Sequence, residues 1–490
     1  MSNLVEGLRE CAAAHPDRAA LITADDHRIS YATLDRLIDR AARHLSAAGI
    51  RPGHLVGLSV AGPDEAMALV FHLALARLGV ASAERGASTI TFDFVLLQPA
   101  DTDRPTQPFL RMGFEALEPV PDEDTLPPVE SPPGDKVFRI FTTSGTTGRP
   151  HLVAVTHAQM LTRISTYWTA PRRGDAAEVQ ICAIGLGGSF GTVTVLKLLL
   201  GGGTLVFSNP RSLAATVLRH KVTSIVTATN VLQSLMKTLP IAQPATGLGP
   251  LPGLGVVLVG GSQMPQALAR QVRARLCDRI ETSYGATETG QLAFGRLDQL
   301  SDAPFAVGRL GPRADVQALD EAGKVLPPGE FGELRMRSPG MAQRYEDEPE
   351  ISTAQFRDGW FHPGDLGCVM ADGLLCISGR VGDVINSGGV KVSPRLIEEV
   401  LLARPDITQA AAFGVPDRDG VEQIWAAIVA HAPIPDAELS RLLGERLGPQ
   451  APKFVLQMQD LPRTENGKIA FRALVEIGMR HYAEGTARLR

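Results

Sequence analysis

The sequence predicts an α/β protein. A large N-terminal domain of layered parallel and mixed sheets with helices, plus a β-rich subdomain, precedes a small α+β C-terminal domain. Three observations predict this. Strand-like and helix-like segments alternate from residue 54 to residue 276, the pattern of parallel sheet with crossover helices. Short β-rich segments separated by Gly and Pro turns follow. Beyond residue 380 a separate set of strand and helix patterns makes a unit of roughly 110 residues, within the usual size of a domain. The expected domains are therefore 1–380 and 381–490.

In order along the chain, "ATLDRLIDRAARHLSAAGI" (32–50) puts Leu34, Leu37, Ile38, Ala41, Leu45 and Ala48 on one helical face. "HLVGLSV" (54–60) is strand-like and "DEAMALVFHLALARLGV" (64–80) helical. The proline-rich, acidic "PVPDEDTLPPVESPPGD" (119–135) is expected to be an exposed connector. "KVFRIF" (136–141) is a strand, and "LVAVTHAQMLTRIS" (152–165) runs from strand or turn into helix. Residues 179–196 carry no charge, but four glycines and several polar residues make a buried strand, glycine turn and helix rather than a membrane span. "TLVFSN" follows the helix-like "TVTVLKLLL", "SIVTAT" precedes "NVLQSLMKTL", and "GVVLVGG" precedes "PQALARQVRARL". "FGELRMRS" and "GLLCISG" are β-rich. The final unit reads as strand "VINSGGVKV", helix "PRLIEEVLLAR", strands "QAAAFGV" and "IWAAIVA", and helix "DAELSRLLGERL".

Composition narrows function. Apolar residues make up 44% of 490 residues and charged residues 21%, with net charge −5. That is an ordinary globular balance without a nucleic-acid or membrane-binding surface. Cys11, Cys182, Cys277, Cys368 and Cys376 are scattered without C-x-x-C, which predicts reduced thiols and a cytoplasmic setting. Early charges in "MSNLVEGLRECAAAHPDR" argue against a signal peptide.

Five short motifs carry chemistry. "FTTSGTTGRPH" (141–151) follows a strand and is rich in Gly, Ser and Thr, suited to cradling a phosphate chain, yet it lacks the Lys of the G-x-x-x-x-G-K-[ST] loop. "TSYGATETG" (282–290) offers a hydroxyl in Thr287, a carboxylate for magnesium in Glu288 and a ring face in Tyr284. "DGWFHPGDLG" (358–367) holds Asp365, a carboxylate able to accept from two ribose hydroxyls. In isolation such a Gly-Asp turn more often bonds its own backbone. "SGRVGDVINSGGVKVSP" (378–394) supplies Arg380, and "PRTENGKIAF" (462–471) supplies Lys468.

In this order and spacing, together with "RYEDEPEISTAQFRDGWFHPGD" (344–365), the motifs resemble the ANL superfamily of AMP-forming adenylating enzymes over nearly the whole chain. Its members are acyl- and aryl-CoA synthetases, adenylation domains of nonribosomal peptide synthetases, and luciferases. The resemblance implies that Thr143, Ser144, Gly145, Thr146, Thr147 and Gly148 orient the β- and γ-phosphates of ATP. Gly260, Gly261, Ser262 and Tyr284, beside Gly285, would sandwich adenine. Thr287 would meet the α-phosphate, Glu288 would hold Mg2+, and Asp365 and Arg380 would hold the ribose. Lys468 would bridge the carboxylate and α-phosphate oxygens. The acid would lie against Gly188, Phe190, Gly261, Ser283 and Gly285. The small domain would be mobile, swivelling about Gly382.

The chain departs from that pattern in three places. His151 replaces the lysine that usually ends the phosphate loop, which weakens the expected grip on phosphate. Gly382 replaces the usual Asp or Lys at the hinge and keeps a swivel possible. Gly188 stands where His or an aromatic is common; this opens pocket volume or reflects a differently filled core. The pocket segments (185–194, 229–233, 260–265, 283–285) hold no Arg or Lys for a second carboxylate, so a monocarboxylate, aryl or medium-chain acyl, is expected rather than malonate. The resemblance implies CoA as thiol acceptor, or the phosphopantetheine of a carrier protein. Amino-acid activation is disfavoured because "AIGLGGSFGTVT" lacks the Asp that holds an ammonium. A binding protein of this fold without turnover is the remaining alternative.

Overall fold

The computed structural model describes residues 3–58, 65–85, 90–97, 105–111, 129–143, 150–167, 178–209, 212–238, 250–261, 264–300, 305–387, 390–417, 421–463 and 469–483. Residues 119–128 of the expected connector therefore lie outside the described residues.

Two sheets enclose a layer of helices. In the smaller sheet the strands run Phe109–Arg111, Phe94–Leu97, Leu55–Leu58, Ala81–Glu84, Val137–Thr142 and Leu152–Thr156. All neighbours are parallel except the last pair, an antiparallel hairpin. Strand order reverses between Leu55–Leu58 and Ala81–Glu84, and such switch points open ligand crevices at the carboxyl ends of strands.

The larger sheet is a hybrid. Its parallel half runs Ile280–Ala286, Val256–Gly260, Ser224–Ala228, Val179–Cys182, Thr204–Val206 and Ala19–Ile22, closed by antiparallel Arg28–Ser30. At Ile280–Ala286 it turns antiparallel and continues through Gly290–Arg296, Ala306–Leu310, Leu374–Arg380, Asp365–Val369 and Gly332–Arg337. The β-rich subdomain is thus a hydrogen-bonded continuation of the parallel sheet.

The helices Leu4–Ala14, Tyr31–Ala47, Glu65–Arg77, His157–Thr166 and Ser189–Leu200 pack in one core with both sheets. This explains their composition. Glu65–Arg77 is buried continuously from Met67 to Arg77, as a helix apolar on nearly every side must be. His157–Thr166 starts where it does because Thr156 and Gln159 form a reciprocal capping box. The opposite face of the parallel half carries a second core with Leu213–His220, Thr229–Thr238 and Gln266–Arg275.

Beyond Arg380 the described strands pair only with one another. Ile407–Pro416 and Glu422–Ala430 are antiparallel, and Phe454–Gln457 joins in parallel. Helices Pro394–Leu402 and Asp436–Leu447 cover one face of this sheet. Phe471–Ala483 covers the other, where Trp425 stacks on Phe454 at 4.3 Å. The single strand expected from "VINSGGVKV" is instead a hairpin of Ile385–Ser387 and Val390–Val392; a Gly-Gly pair between apolar runs is a turn signal. The unit docks on the large sheet where Ser393 Oγ donates to Ser378 O at 2.5 Å and Arg395 donates to Ile377 O.

Candidate active site

The expected phosphate loop springs from a hairpin. Its neck is closed by Thr143 N donating to His151 O at 2.9 Å, while Ser144, Gly145, Thr146, Thr147 and Gly148 lie outside the described residues. His151 turns inward. Its ring is 2% exposed, lies 4.6 Å from that of Tyr345, and places Nδ1 3.3 Å from Glu348 Oε2. His151 is thus packed against Tyr345 and Glu348.

Tyr345 in turn reaches Glu288. Its buried hydroxyl lies 2.7 Å from Glu288 Oε1 and 2.7 Å from Gln355 Oε1. Glu288 sits with Thr287 in the turn between Ile280–Ala286 and Gly290–Arg296. Its carboxylate is buried, and desolvation raises its pKa above the ordinary carboxylate value. Thr289 points into the protein: Ala286 N donates to its Oγ1 at 3.3 Å, and Ser338 Oγ donates to its carbonyl at 2.5 Å. Arg163, 3% exposed, holds the same turn from below by donating to Thr287 O at 2.9 Å and Glu288 O at 3.1 Å.

The expected ribose pair is assembled by strand register. Asp365 opens one strand, Arg380 ends its neighbour, and the two are register partners. Arg380 Nε donates to Asp365 Oδ1 at 3.0 Å, and the Tyr284 hydroxyl donates to Oδ2 at 2.5 Å. Burial, and then the negative charge of Asp365, raise the Tyr284 pKa well above the ordinary phenol value, so this hydroxyl stays a donor.

At the expected adenine and acyl positions the surfaces are small. Gly260 ends the strand Val256–Gly260, and a Cβ there would lie 2.5 Å from Phe190 Cε1, so the phenyl ring rests on bare backbone. Gly261 has φ +82° with open space beside it; Ser262 lies outside the described residues. Ser283 Oγ accepts from Gln291 Nε2 at 3.0 Å, and Gly285 is exposed. Gly188 is exposed at the N-cap of the helix Ser189–Leu200, and nothing lies within 4 Å of where its Cβ would be. Below it, fully buried Arg139 donates to Gly187 O at 3.4 Å, to Glu84 Oε2 at 3.2 Å and to His72 Nε2 at 3.3 Å. Because guanidinium only donates, His72 keeps its proton on Nδ1 and gives it to Ser82 Oγ, 3.0 Å away.

Lys468 lies outside the described residues. Gly382 is exposed in the short turn Val381–Asp383, with open space around it. Among the described residues no three His, Cys, Asp or Glu side chains gather to hold a metal, and no helix is long and apolar enough to cross a membrane. Sequence reasoning missed Arg163, Tyr345 and Gln355. Arg163 had a signal: with His157 and Met160 it forms a buried i, i+3, i+6 row on one helix.

A turn of hydroxyl and carboxylate beside a held aspartate is the arrangement expected of an AMP-forming adenylating enzyme. The sequence agrees: the family model of the AMP-binding enzyme matches residues 8–88 and 95–346, and that of the AMP-binding enzyme C-terminal domain matches residues 396–468. The chain belongs to this family, within the ANL superfamily. It is 31% identical to a salicyl-AMP ligase / salicyl-S-ArCP synthetase of Mycobacterium tuberculosis, over 96% of this chain and 89% of the relative. It is 30% identical to a feruloyl-CoA synthase of an Amycolatopsis species, over 90% and 92% of the two chains. ATP-bound MatB from Rhodopseudomonas palustris superposes with TM-score 0.82 at 25% identity, covering 98% and 99%.

Proposed function

We propose that the protein is an AMP-forming carboxylate–CoA ligase acting on a monocarboxylic acid. The observation that carries the reading is the pairing of two carboxylates with different tasks on neighbouring parts of one sheet. Asp365, neutralised on one oxygen by Arg380 and bonded on the other by Tyr284, is held to receive hydroxyls. Glu288 is buried, bonded by the Tyr345 phenol, and without a cation at ion-pair distance among the described residues.

Glu288 fits magnesium. It is a hard oxygen donor, buried without an ion-pair partner among the described residues, and a single carboxylate suits an ion that takes its other ligands from phosphates and water. When bound, the ion would neutralise charge on the phosphate oxygens. The chain's own residues do the rest. Thr287 donates to the α-phosphate, Asp365 and Arg380 fix the ribose, and Lys468 approaches the carboxylate and α-phosphate oxygens from the small domain. The acid's carboxylate attacks the α-phosphorus in line, pyrophosphate leaves toward the loop 143–148, and alignment supplies much of the rate. The small domain then swivels about Gly382, and a thiol attacks the acyl-adenylate carbonyl and releases AMP.

The feruloyl-CoA synthase relative supports CoA as acceptor and an aryl acid as substrate. A second reading, transfer to a carrier protein, is favoured by the printed name of the salicyl relative. Acid-dependent pyrophosphate release over a panel of benzoate-like, octanoate-like and dicarboxylic acids, followed by thioester detection with CoA or carrier proteins, tests both. The expected result is turnover of a monocarboxylate with CoA. ATP binding with no release for any acid would overturn the enzyme reading, and best turnover of a dicarboxylate would overturn the acid class.

A further inference from the structure

Arg163 is a buried cation without a carboxylate at ion-pair distance among the described residues. It sits in the helix His157–Thr166 and is 3% exposed. Removing a guanidinium from water is costly unless its hydrogens are satisfied, and here four of the five go to backbone carbonyls and one hydroxyl. Nε donates to Gly340 O at 2.9 Å, and Nη2 to Glu288 O at 3.1 Å. Nη1 carries two hydrogens and uses both, one on Thr287 O at 2.9 Å and one on Ser189 Oγ at 3.3 Å. The backbone crowds its stem from two sides. A Cβ on Gly290 or Gly340 would lie 3.3 or 3.2 Å from Arg163 Cγ, and both glycines have positive φ, +74° and +77°.

One planar fork therefore joins three chain segments. Two of them bear on the proposed reaction. Ser189 is the first residue of the helix that starts at the pocket glycine Gly188. Thr287 and Glu288 are the proposed α-phosphate and magnesium residues. A single nitrogen spans them, so a displacement of the pocket helix by a bound acid would reach the turn through one buried guanidinium. A guanidinium transmits such a shift because its donors are fixed in one plane, whereas an ammonium donates from a point.

We propose that Arg163 is a positioning residue that couples the acyl pocket to the Thr287–Glu288 turn, so that the carboxylic acid and MgATP bind with positive cooperativity. The inference rests on the adenylating reading given above. By linkage the acid must tighten MgATP by the factor by which MgATP tightens the acid.

The test is calorimetric titration of an α,β-methylene ATP analogue with magnesium, with and without benzoate or octanoate, whichever the wild type turns over faster. Wild type should bind the analogue about 5- to 50-fold more tightly when the acid is present, within the usual span of such couplings. Ser189→Ala removes only the pocket arm. It should leave analogue affinity without acid within about twofold and reduce the coupling factor to below about twofold. Arg163→Lys should lose the coupling and also weaken the analogue without acid about tenfold, as a lost charged hydrogen bond does. Melting temperature checks folding; should Arg163→Lys not fold, Ser189→Ala decides alone. A wild type that binds the analogue indifferently to acid overturns the proposal. So does a Ser189→Ala variant with wild-type coupling, or variants that lose affinity equally with and without acid, which would make Arg163 a structural prop. A wild type that binds no analogue overturns the adenylating reading itself, and the proposal with it.

Discussion

The Tyr284 hydroxyl and the Asp365 carboxylate meet at 2.5 Å across 81 residues of sequence. The bond ties the strand that carries the Thr287–Glu288 turn to the strand that begins with the proposed ribose ligand. A carboxylate held on both oxygens is preorganised for hydroxyl donors, since it pays no further ordering entropy when they arrive. Tyr284→Phe removes one holder and leaves Arg380. A hydrogen bond to a charged group contributes about 1.5–3 kcal/mol, so KM for ATP should rise roughly tenfold or more while kcat stays within about threefold. Unchanged KM in a steady-state ATP titration would show that Asp365 needs no help from the phenol.

Gly188 makes a separate claim about the acid. The space beside it is open, so Gly188→Phe should fold normally, narrow the range of acids that release pyrophosphate, and leave ATP binding nearly intact. Unfolding of the variant would mean the site is packed in solution, where overfilling costs about 1–3 kcal/mol.

Lys468 separates the two half-reactions. Lys468→Ala should slow adenylate formation by roughly 10²–10³-fold, the scale for deleting one charge-stabilising donor. Given presynthesised acyl-adenylate and thiol, the same variant should form thioester at nearly the wild-type rate. Equal loss in both steps would rule out a lysine that leaves the site after adenylation.

Glu398 predicts a pH dependence of stability. Burial, only partly offset by Ala412 N donating to its Oε1 at 3.0 Å, raises its pKa from 4.5 to about 7. The folded state then holds this proton where the unfolded chain has released it. Stability therefore falls as pH rises from 4.5 to about 7 and levels off above, by an amount on the order of 3 kcal/mol at full ionisation. Glu398→Gln keeps an acceptor for Ala412 and removes the charge. Its melting temperature should change less between pH 5 and pH 8 than that of the wild type, and an identical pH slope would assign the effect elsewhere.

Local chemistry was readable in the sequence wherever one segment contained its own instruction. The helix Asp436–Leu447 matches the segment "DAELSRLLGERL", and the uncharged run from residue 179 is a strand, turn and helix as its glycines require. The family resemblance of the motifs implied that Asp365 and Arg380 act together, and strand register makes them neighbours. What stayed hidden is non-local. No periodicity shows that the β-rich segments extend the parallel sheet, because that depends on a hairpin pairing Ile280–Ala286 with Gly290–Arg296. Tyr345 reaches Glu288 across 57 residues, and Arg163 reaches Thr287 across 124. The burial of His151 against Tyr345 and Glu348 was equally hidden, because sequence gives residue type but not the direction a side chain faces.

That shared hairpin also sets where the chain can be recombined with a homologue. A crossover just after Arg380 would divide parts that meet through a few side-chain contacts, such as Ser393 with Ser378. A crossover between residues 286 and 290 would take the two edges of one ladder from different parents. The ladder carries a register shift between Tyr284 and Gly285, and a partner strand without the matching irregularity would slide by one residue and turn Thr287 and Glu288 away from the site. Chimeras that exchange acid specificity should therefore keep residues 280–296 from a single source, and those that exchange the thiol acceptor can break at the hinge.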